Sequence, residues 1–472
     1  MAIRRYVANA DNTIVNAYKQ NLQTRATGSN MGQADVSEIY SIYGRATTSS
    51  AELSRILTQF NTTTIVSDRT AGVIPASGGV SFYLRLYNAE TSKTVPKNFK
   101  VVAQAISRSW SEGDGLDLEN YKDSDVSNWI SASQGIAWTS QGGDYHASPV
   151  FTQEFSTGLE DLEINITSLV EEWIAGTKAN YGVGIRLTSS QETATDSYYT
   201  KRFFARGTQY FFKKPVIEAR WNSSLQDDRG DFYMSSSLAP AADNLNTLYL
   251  YNYVRGQLIN IPAIGTGDIY VDLYETLGGT ALTQVPQTPA TGGYVSPGVY
   301  SCSVGLTGTY STLRDVWYSG STEYFTGTVS PKSFGGAGAS TGNSRYVTNI
   351  KNLRSKYFSE EEARFNVYVR SKNWSPTIYT VASTEIENTI IPSASYRVYR
   401  TLDGLNAIPH GTGSDLQTIL SYDVSGNYFN LDMSLLEPGY EYGIKLAFYD
   451  SQRQSWIEQD QKFLFRVEDY EY

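Results

Sequence analysis

The sequence NITSLVEEW at 165–173, followed by NYG at 180–182, decides the fold of the first half of this chain. Ser168 and Glu171 have the spacing of a capping box, which predicts the start of one short helix that ends at Gly176. The helical period gives this helix an apolar face made of Leu169, Val170, Trp173 and Ile174. This face predicts a helix that lies on a sheet, with Trp173 as its structural anchor.

The surrounding segments occur in an order that resembles the DNRLRE-type β-sandwich module. In that family a D-x-T-x-L-V-x-x-W helix is followed by N-Y-G, a polar strand and a closing P-x-L strand. Matching segments here include FYLRLY at 82–87, WSEG at 110–113, FFAR at 203–206 and KPVIE at 214–218. Asn165 stands where the family often carries an acid, and Asn caps a helix as well as Asp does. The resemblance implies a large jelly-roll-like β-sandwich over residues 1–222.

Length and composition predict further β domains after the first. The chain has 472 residues, and a domain commonly holds about 100–200, so we expect three. Its 36 tyrosines favour strands and its 39 glycines favour turns. We place a second domain at 223–343, ending in a Gly-rich linker at 335–342, and a third at 344–472. Residues 222–224 and 226–230 are predicted to form a polar connector.

The second domain has two signals of an immunoglobulin-like sandwich. Ile269, Val271 and Leu273 alternate with polar residues, which is typical of a half-buried strand. Tyr300 lies two positions before Cys302, as the tyrosine of a tyrosine corner does in immunoglobulin-like domains. Tyr300 is therefore predicted to be structural, and Cys302 to be a buried hydrophobic residue.

The third domain has a similar corner signal. LEPGYEY at 436–442 resembles the L-x-P-G-x-x-Y corner of fibronectin-type and immunoglobulin-like sandwiches, and Tyr442 is its structural tyrosine. A last strand is predicted from the alternation of Phe463, Phe465 and Val467. The predicted fold class is therefore mainly β, with a large jelly-roll-like β-sandwich followed by two immunoglobulin-like β-sandwiches.

Charge and composition exclude several classes of function. A net charge of −10 without a basic stripe argues against nucleic-acid binding. Cys302 has no partner for an internal disulfide. No apolar run reaches the roughly 20 residues that span a bilayer, so no membrane insertion is expected. The segment Tyr6 to Asn12 is too short and polar for the apolar part of an export signal, which predicts folding in a cytoplasm.

No catalytic motif is present, and we expect no enzyme activity and no cofactor. The only two histidines, His146 and His410, belong to different predicted domains, so they are expected to be structural or exposed. The nucleophile elbow, the H-E-x-x-H helix and the phosphate-binding glycine loop do not occur. A glycosidase would need two carboxylates facing each other across a cleft, which spacing on a loop cannot show.

An acidic loop follows Trp110. It contains Glu112, Asp114 and Asp117 among six acidic residues, and a solvated loop is the simpler interpretation. A structural calcium site is the alternative, because calcium binds six to eight oxygen ligands. The spacing does not match an EF-hand loop, so these three are weak candidates for metal ligands.

Nearly the whole chain resembles structural proteins of marine contractile-tailed bacteriophages, including cyanophages. Segments that carry this resemblance are AIRRY at 2–6, SSLAPAADN at 236–244 and the terminal YEY at 470–472. The resemblance implies a virion protein made in the host cytoplasm. Its partners would be other virion proteins and copies of itself, arranged as a homo-oligomer or a symmetric array on the particle. The neck or collar, the capsid surface as a decoration protein and a tail appendage all remain open as its location.

A carbohydrate-binding adhesion protein is the alternative function, since some DNRLRE-type modules bind uronic-acid polysaccharides. An acidic polysaccharide, including a cell-surface glycan, would need a basic groove. We expect its charges from Arg202, Arg206, Lys213 and Lys214. Tyr270 and Tyr274 could stack on a sugar or press against a neighbouring subunit, and cross-strand pairing with other aromatic residues is the structural alternative.

Overall fold

The structure is a computed structural model that describes residues 2–92, 94–116, 125–332, 346–372, 374, 378 and 388–470. The Gly-rich linker predicted at 335–342 lies outside these residues. The chain is mainly β, as predicted. It divides into two compact units, Ala2–Trp221 and Asn222–Tyr472, called here the N-terminal and the C-terminal unit. The division of the C-terminal unit into two separate domains stays a prediction.

In its described residues the N-terminal unit contains twelve named strands, three short α-helices and a 3-10 turn, Phe211–Lys213. The strands are β1 Ile3–Val15, β2 Val36–Tyr43, β3 Ala51–Phe60, β4 Ser81–Leu86, β5 Phe99–Ile106, β6 Ser131–Ser133, β7 Ile136–Ala137, β8 Tyr145–Phe155, β9 Leu162–Asn165, β10 Val183–Leu187, β11 Tyr198–Phe204 and β12 Val216–Arg220. The helices are α1 Thr62–Thr70, α2 Thr167–Ile174 and α3 Ser189–Glu192.

Ten of these strands form one antiparallel sheet that nearly closes on itself. The strand order is β8-β5-β10-β3-β1-β12-β4-β9, with β2 on β3 and β11 on β2. Strand β1 joins the two layers, because Ile3 to Val7 pair with β12 whereas Ala8 to Val15 pair with β3. A register shift between Ala8 and Ala10 bends the strand at this crossing. The result is the large β-sandwich that the sequence predicts.

Helix α2 seals one side of the N-terminal core. Leu169, Val170 and Trp173 are buried among the strand side chains, and Ile174 packs against the same core. A second, smaller core gathers three more tryptophans, Trp110, Trp129 and Trp138. Both cores use large aromatic side chains, each of which excludes much water from the interior.

The C-terminal unit contains the remaining described strands. They are β13 Phe232–Tyr233, β14 Asn246–Tyr251, β15 Tyr253–Val254, β16 Gln257–Leu258, β17 Ile269–Tyr274, β18 Gln284–Val285, β19 Ala290–Ser296, β20 Val299–Leu306, β21 Leu313–Ser319, β22 Thr322–Val329, β23 Pro331–Lys332, β24 Tyr346–Ile350, β25 Lys356–Phe358, β26 Glu362–Ser371, β27 Ala394–Arg400, β28 Asn406–Ile408, β29 Ser421–Asp423, β30 Gly426–Asp432, β31 Glu441–Asp450, β32 Ser455–Glu458 and β33 Phe463–Glu468.

The first sandwich of the C-terminal unit is built on strands β14 to β22. Their order is β14-β20-β19-β17-β21-β22, with β18 paired to β20. Ile269, Val271 and Leu273 of β17 are buried, which confirms the predicted alternation. Cys302 is also buried, as predicted, and burial raises the pKa of its thiol to about 12. Such a thiol is unreactive at neutral pH.

The second sandwich packs a four-stranded sheet against a six-stranded one. Their orders are β24-β26-β30-β29 and β25-β33-β31-β27-β28, with β32 on β31. The rings of Phe365 and Phe429, from the first sheet, lie 5.1 Å apart. From the second sheet, Tyr396 stacks on Phe429 at 4.1 Å and Phe465 lies 6.1 Å from Phe365. This aromatic layer holds the two sheets together.

Candidate functional site

The cap of helix α2 differs from the predicted capping box. Its N-cap residue is Ile166, which makes no side-chain cap bond. The Asn165 side chain instead accepts from the Thr167 backbone amide at 3.0 Å. Glu171 binds Arg69 of α1 through two contacts of 2.7 Å, so it is not available to the helix start. The capping-box prediction was wrong because the helix begins at Thr167, so that Ser168 lies inside it and not at its N-cap, and because Arg69 binds the Glu171 carboxylate.

The other end of the helix and its anchor are as expected. Gly176 has a φ of +70°, and its amide donates to the Trp173 carbonyl at 3.2 Å. This left-handed glycine ends the helix. Trp173 itself is 6% exposed and lies in the N-terminal core, so its role is to hold the helix on the sheet.

Tyr300 is fully buried and holds a distant loop. Its hydroxyl accepts from the Ile261 amide at 3.0 Å and donates to the Gly265 carbonyl at 2.8 Å. These bonds fix residues 261–265, which follow the β15–β16 hairpin. Tyr300 therefore orients that hairpin relative to strand β20.

Tyr442 is also buried, and its bond is more local. Its hydroxyl donates to the Glu437 carbonyl, five residues upstream, at 2.7 Å. This is the bond of a tyrosine corner. Its ring lies 6.0 Å from that of Phe465 in the aromatic layer. Tyr442 thus fastens the turn before β31 to the interior.

Two neighbouring hairpins of the first C-terminal sandwich expose large apolar side chains. The backbone amide of Asn252, just before β15, donates to the Gly298 carbonyl in the turn between β19 and β20 at 2.7 Å. Within the β15–β16 hairpin, the Ile259 amide donates to the Asn252 carbonyl at 3.1 Å. We call the exposed residues of these hairpins the hairpin patch: Tyr253, Val254, Ile259, Tyr294 and Val295, which are between 36% and 58% exposed.

The acidic loop is only partly described. Glu112 binds Arg206, with Oε2 2.8 Å from Nη2, and accepts from the Asp11 amide at 2.7 Å. Asp114 is exposed, and Asp117 lies outside the described residues. Glu112 is thus less solvated than predicted, because Arg206 pairs with it.

Asp11 is the most buried acid beside this loop. Burial raises the pKa of Asp11 to about 7, and nearby Glu112 adds to that rise. Among the residues that the structure describes, no three acidic, histidine or cysteine side chains are grouped to hold a metal ion. The calcium site stays a prediction, since one of its three candidates is not described.

The two histidines have structural surroundings. His146 lies on β8, where its backbone carbonyl accepts from Gln104. His410 contacts the Ser395 hydroxyl at 3.0 Å, and burial lowers the pKa of its ring. None of the described helices is long and apolar enough to cross a membrane.

The basic side chains expected to form a groove are largely occupied. Arg202 pairs with Glu38 at 2.6 Å, and Arg206 pairs with Glu112. Lys213 lies 5.3 Å from the centre of the Tyr87 ring. Carboxylates thus neutralise two of the four charges that the predicted polysaccharide groove requires.

Tyr270 and Tyr274 remain half-buried on strand β17. Tyr270 is directly opposite Tyr318 of β21, and their rings lie 6.2 Å apart. This cross-strand pair is the structural alternative to sugar stacking. Asp272, between the two tyrosines, is 7% exposed and accepts from Tyr318 at 2.9 Å and Gln284 at 3.1 Å.

A polar cleft that the sequence did not indicate opens on the N-terminal unit. Its volume is about 640 Å³. Strands β5, β8 and β10 and the loop at 139–144 line it. Three arginines reach its surface, Arg55, Arg108 and Arg186, together with the carboxylates of Asp144 and Glu192.

A second polar cluster of the N-terminal unit surrounds Glu218. Three guanidinium groups bind this carboxylate: Arg5 at 2.7 Å, Arg85 at 3.1 Å and Arg220 at 2.7 Å. Burial alone would raise the pKa of Glu218, but the attraction of the three arginines outweighs it and places that pKa far below its usual range. Glu163, at the exposed edge, also binds Arg220 at 2.7 Å.

The structure differs most from the sequence prediction at the polar connector. Residues 226–230 do not form a solvated linker, because Asp227 is 2% exposed and its amide donates to Tyr422 of β29 at 3.0 Å. Asp228 accepts from the Tyr422 hydroxyl at 2.7 Å and from the Thr247 amide of β14 at 2.7 Å. The segment therefore fastens the two sandwiches of the C-terminal unit to each other.

The charge of this junction is unbalanced. Arg229 binds Asp315 of β21 at 2.6 Å and lies 3.5 Å from Asp227. Two buried carboxylates thus share one guanidinium group, and the half-buried carboxylate of Asp228 lies beside them. Burial raises the pKa of Asp227 to about 6, Arg229 lowers it, and Asp315 and Asp228 add to the rise. Burial likewise raises the pKa of Asp228.

Comparison with known proteins adds little to this geometry. No protein-family model and no curated protein matches the chain. The adhesin InvE of Yersinia pseudotuberculosis is 9% identical with a TM-score of 0.16, over 50% of this chain and 56% of that adhesin's. The FN1–FN3 domains of chicken CNTN1 are 10% identical with a TM-score of 0.15, over 60% and 85% of the two chains. The chain therefore spans just over half the length of that adhesin, and TM-scores this low carry no functional argument.

Proposed function

We propose that this chain is a non-enzymatic structural protein that works through protein–protein contacts, with the hairpin patch as its main contact surface. The observation that carries the proposal is the exposure of Tyr253, Val254, Ile259, Tyr294 and Val295 on two hydrogen-bonded hairpins. Single exposed apolar side chains are ordinary on a protein surface, whereas five on two adjoining hairpins are typical of an interaction site.

The hairpin patch has the properties of a preformed contact. The Asn252 amide binds the Gly298 carbonyl and the Ile259 amide closes the β15–β16 hairpin on the Asn252 carbonyl, so this hairpin does not need to become ordered on binding. A preordered surface loses less conformational entropy in a complex. Tyrosines are also enriched in the centres of interfaces. The patch is thus suited to a neighbouring protein subunit.

The proposed setting is a tailed-phage virion. The sequence resemblance to phage structural proteins and the predicted folding in a host cytoplasm support it. On a symmetric particle the same contact would be repeated, and repetition converts weak contacts into strong attachment. The neck or collar, the capsid surface and a tail appendage are equally compatible with a patch of this kind. We propose no catalytic residue, no cofactor and no nucleic-acid partner.

Immunogold labelling tests the setting. An antibody against this chain is applied to intact particles of the phage that encodes it. Gold at the head–tail junction, over the shell or along the fibres would support the proposal and choose the location. Particles that stay unlabelled, while the same antibody detects the chain in the lysate, would contradict it.

A pair of variants tests the surface. Val254→Asp places a charge in the hairpin patch, whereas Leu402→Asp places one on an exposed turn of the same unit, where Leu402 is 76% exposed. We expect Val254→Asp to reduce incorporation into particles at least about tenfold, since a buried unpaired charge costs several kcal/mol. Equal incorporation of both variants would eliminate the patch as the contact.

A further inference from the structure

Lys201 of strand β11 is a lysine in the interior of the N-terminal unit. The residue is 1% exposed, and its Nζ lies 5.1 Å from the centre of the Phe155 ring and 4.8 Å from that of Phe203. Both phenylalanines are fully buried, so their rings exclude water from this part of the interior. Lysines are rarely buried to this extent, because an ammonium group loses favourable hydration there.

Three oxygen atoms surround the Lys201 amine. Nζ donates to Asn88 Oδ1 at 2.5 Å, to the Gly158 carbonyl at 2.9 Å and to the Glu160 carbonyl at 2.8 Å. Asn88 follows strand β4 and lies 113 residues before Lys201 in the chain. The two backbone carbonyls thus hold the amine in place against the side-chain amide of an asparagine.

The amide carbon of Asn88 is within reach of this amine. A carbonyl bond is about 1.2 Å long, so Nζ lies at most about 3.7 Å from Cγ. Atoms arranged for reaction are about 3–3.5 Å apart. Burial lowers the pKa of the Lys201 amine to about 8, although the charges of Asp161 and Glu160 act to raise it. A sizeable fraction of the amine is therefore neutral, and so nucleophilic, near pH 8.

We propose that Lys201 and Asn88 form an isopeptide bond, which joins strand β11 covalently to the segment after β4. The neutral Nζ attacks Cγ, and the Nζ–Cγ bond forms as the Cγ–Nδ2 bond breaks. Nζ gives up one proton and Nδ2 takes one, so ammonia leaves and neither an oxidant nor a reductant is needed. Asp161, whose Oδ1 accepts from the Asn88 backbone amide at 2.7 Å, is the acid that relays this proton.

The bond is a modification of the chain itself, and it is independent of the hairpin patch. Asn88 is half-buried, which leaves the ammonia a way to solvent. The N-terminal unit contains no cysteine, so a disulfide cannot supply a covalent link there. A link between residues 113 positions apart restricts the unfolded chain, as a disulfide across a long loop does. The N-terminal sandwich would then resist unfolding more strongly than its packing alone allows.

Mass spectrometry of the denatured full chain tests the proposal. We expect a mass about 17 Da below that of the sequence, because one ammonia is lost. Trypsin should then fail to cut after Lys201, and the digest should contain peptide 86–93 joined to peptide 187–202. Fragmentation of this branched peptide identifies the two linked residues.

A second buried lysine provides a control within the same digest. Lys445 is 9% exposed, and its Nζ donates to the backbone carbonyls of Gln459 and Asp460 at 3.0 and 3.3 Å. These contacts offer no side-chain amide to attack. Trypsin should therefore cut after Lys445 in the unfolded chain.

Three variants assign the reacting groups. Lys201→Met and Asn88→Leu each remove one reacting group at similar volume, and each should have the full mass of its own sequence. Lys178→Met is the matched control, because the Lys178 Nζ donates to the Ser148 carbonyl at 2.8 Å. This control should keep the loss of about 17 Da.

The measurement on the parent chain decides the question even if a variant does not fold. A branched peptide that links Lys201 to Asn88 supports the proposal. A parent chain of full mass, or cleavage after Lys201, overturns it. Loss of ammonia found within peptide 86–93 alone would also overturn it, since that result assigns the loss to ring closure at Asn88.

Discussion

Two buried charge clusters, one in each unit, combine arginines and carboxylates in opposite proportions. Around Glu218 of the N-terminal unit, three arginines bind one deeply buried carboxylate. At the junction of the C-terminal unit, Arg229 pairs with both Asp315 and Asp227, and Asp228 adds a further negative charge beside Asp227. The three arginines of the first cluster lower the pKa of Glu218, whereas burial at the junction raises the pKa values of Asp227 and Asp228. Charge therefore stabilises the first cluster at neutral pH, whereas an electrostatic conflict remains where the two sandwiches of the C-terminal unit meet.

The largest expected effect comes from removing the carboxylate of the first cluster. Glu218→Gln leaves three guanidinium groups close together without their shared anion, and breaking a buried ion pair in this way costs about 3–5 kcal/mol. Urea unfolding of the full chain, followed by tryptophan fluorescence, measures the loss. Glu163→Gln is the control, since the Glu163 side chain is 39% exposed. A surface pair contributes at most about 1 kcal/mol. Equal losses of unfolding free energy in the two variants would show that the buried position of Glu218 adds nothing to the strength of its ion pairs.

The second effect is the pH dependence of the junction. The pKa of Asp227 is 3.8 in its ordinary state and about 6 in the folded chain. Below pH 3.8 the Asp227 carboxyl is protonated in both the folded and the unfolded chain. Between pH 3.8 and about 6 it is protonated only in the folded chain. The free energy of unfolding therefore falls by about 3 kcal/mol as pH rises through this window. The loss is measured by hydrogen exchange at the backbone amides of β21. These amides should be better protected at pH 5 than at pH 7, after correction for intrinsic exchange rates.

Two variants separate this effect from the other unit. Asp227→Asn removes the titrating group, so the pH dependence of β21 protection should shrink. Asp11→Asn is the matched control, because burial also raises the pKa of Asp11 to about 7 but this residue belongs to the N-terminal unit. A loss of pH dependence at β21 in Asp11→Asn, and not in Asp227→Asn, would refute the assignment.

The third effect compares the two structural tyrosines. Tyr300→Phe leaves the Ile261 amide and the Gly265 carbonyl without partners, and we expect a loss of about 2–3 kcal/mol. Tyr442→Phe removes one bond to the Glu437 carbonyl, and we expect about 1 kcal/mol. Thermal unfolding measures both variants. A larger loss of stability in Tyr442→Phe than in Tyr300→Phe would contradict this ranking and show that the local tyrosine corner contributes more.

The smallest effect on stability belongs to the hairpin patch. Val254→Asp should change the free energy of unfolding by less than about 0.5 kcal/mol, because Val254 is 45% exposed. Denaturant unfolding measures it beside Leu402→Asp. A large loss of stability in Val254→Asp would mean that the patch supports the fold, and its effect on assembly would then need another variant.

The sequence predicted the parts of this fold that depend on local patterns. The alternation of Ile269, Val271 and Leu273 identified a buried face because strand side chains repeat every two residues. Gly176 identified a helix end because its left-handed φ favours glycine. These patterns need no knowledge of distant residues.

The sequence did not predict features whose partners lie far along the chain. Glu171 has the position of a capping residue, but Arg69 binds it. The connector has the composition of a linker, but Tyr422 and Asp315 bury it. One signal was present: Leu313, Asp315 and Trp317 alternate on one buried face of β21, so an acid occupies a core position there. The polar cleft had no such signal, because its lining residues come from several separate segments.

We propose that the chain contacts a neighbouring protein through its hairpin patch, and photo-crosslinking in assembled particles detects such a contact. A photoreactive amino acid replaces Val254 in one sample and Leu402 in another. We expect a crosslink to another protein chain from position 254 and none from position 402. Crosslinks absent at position 254, or equally strong at both positions, would contradict it.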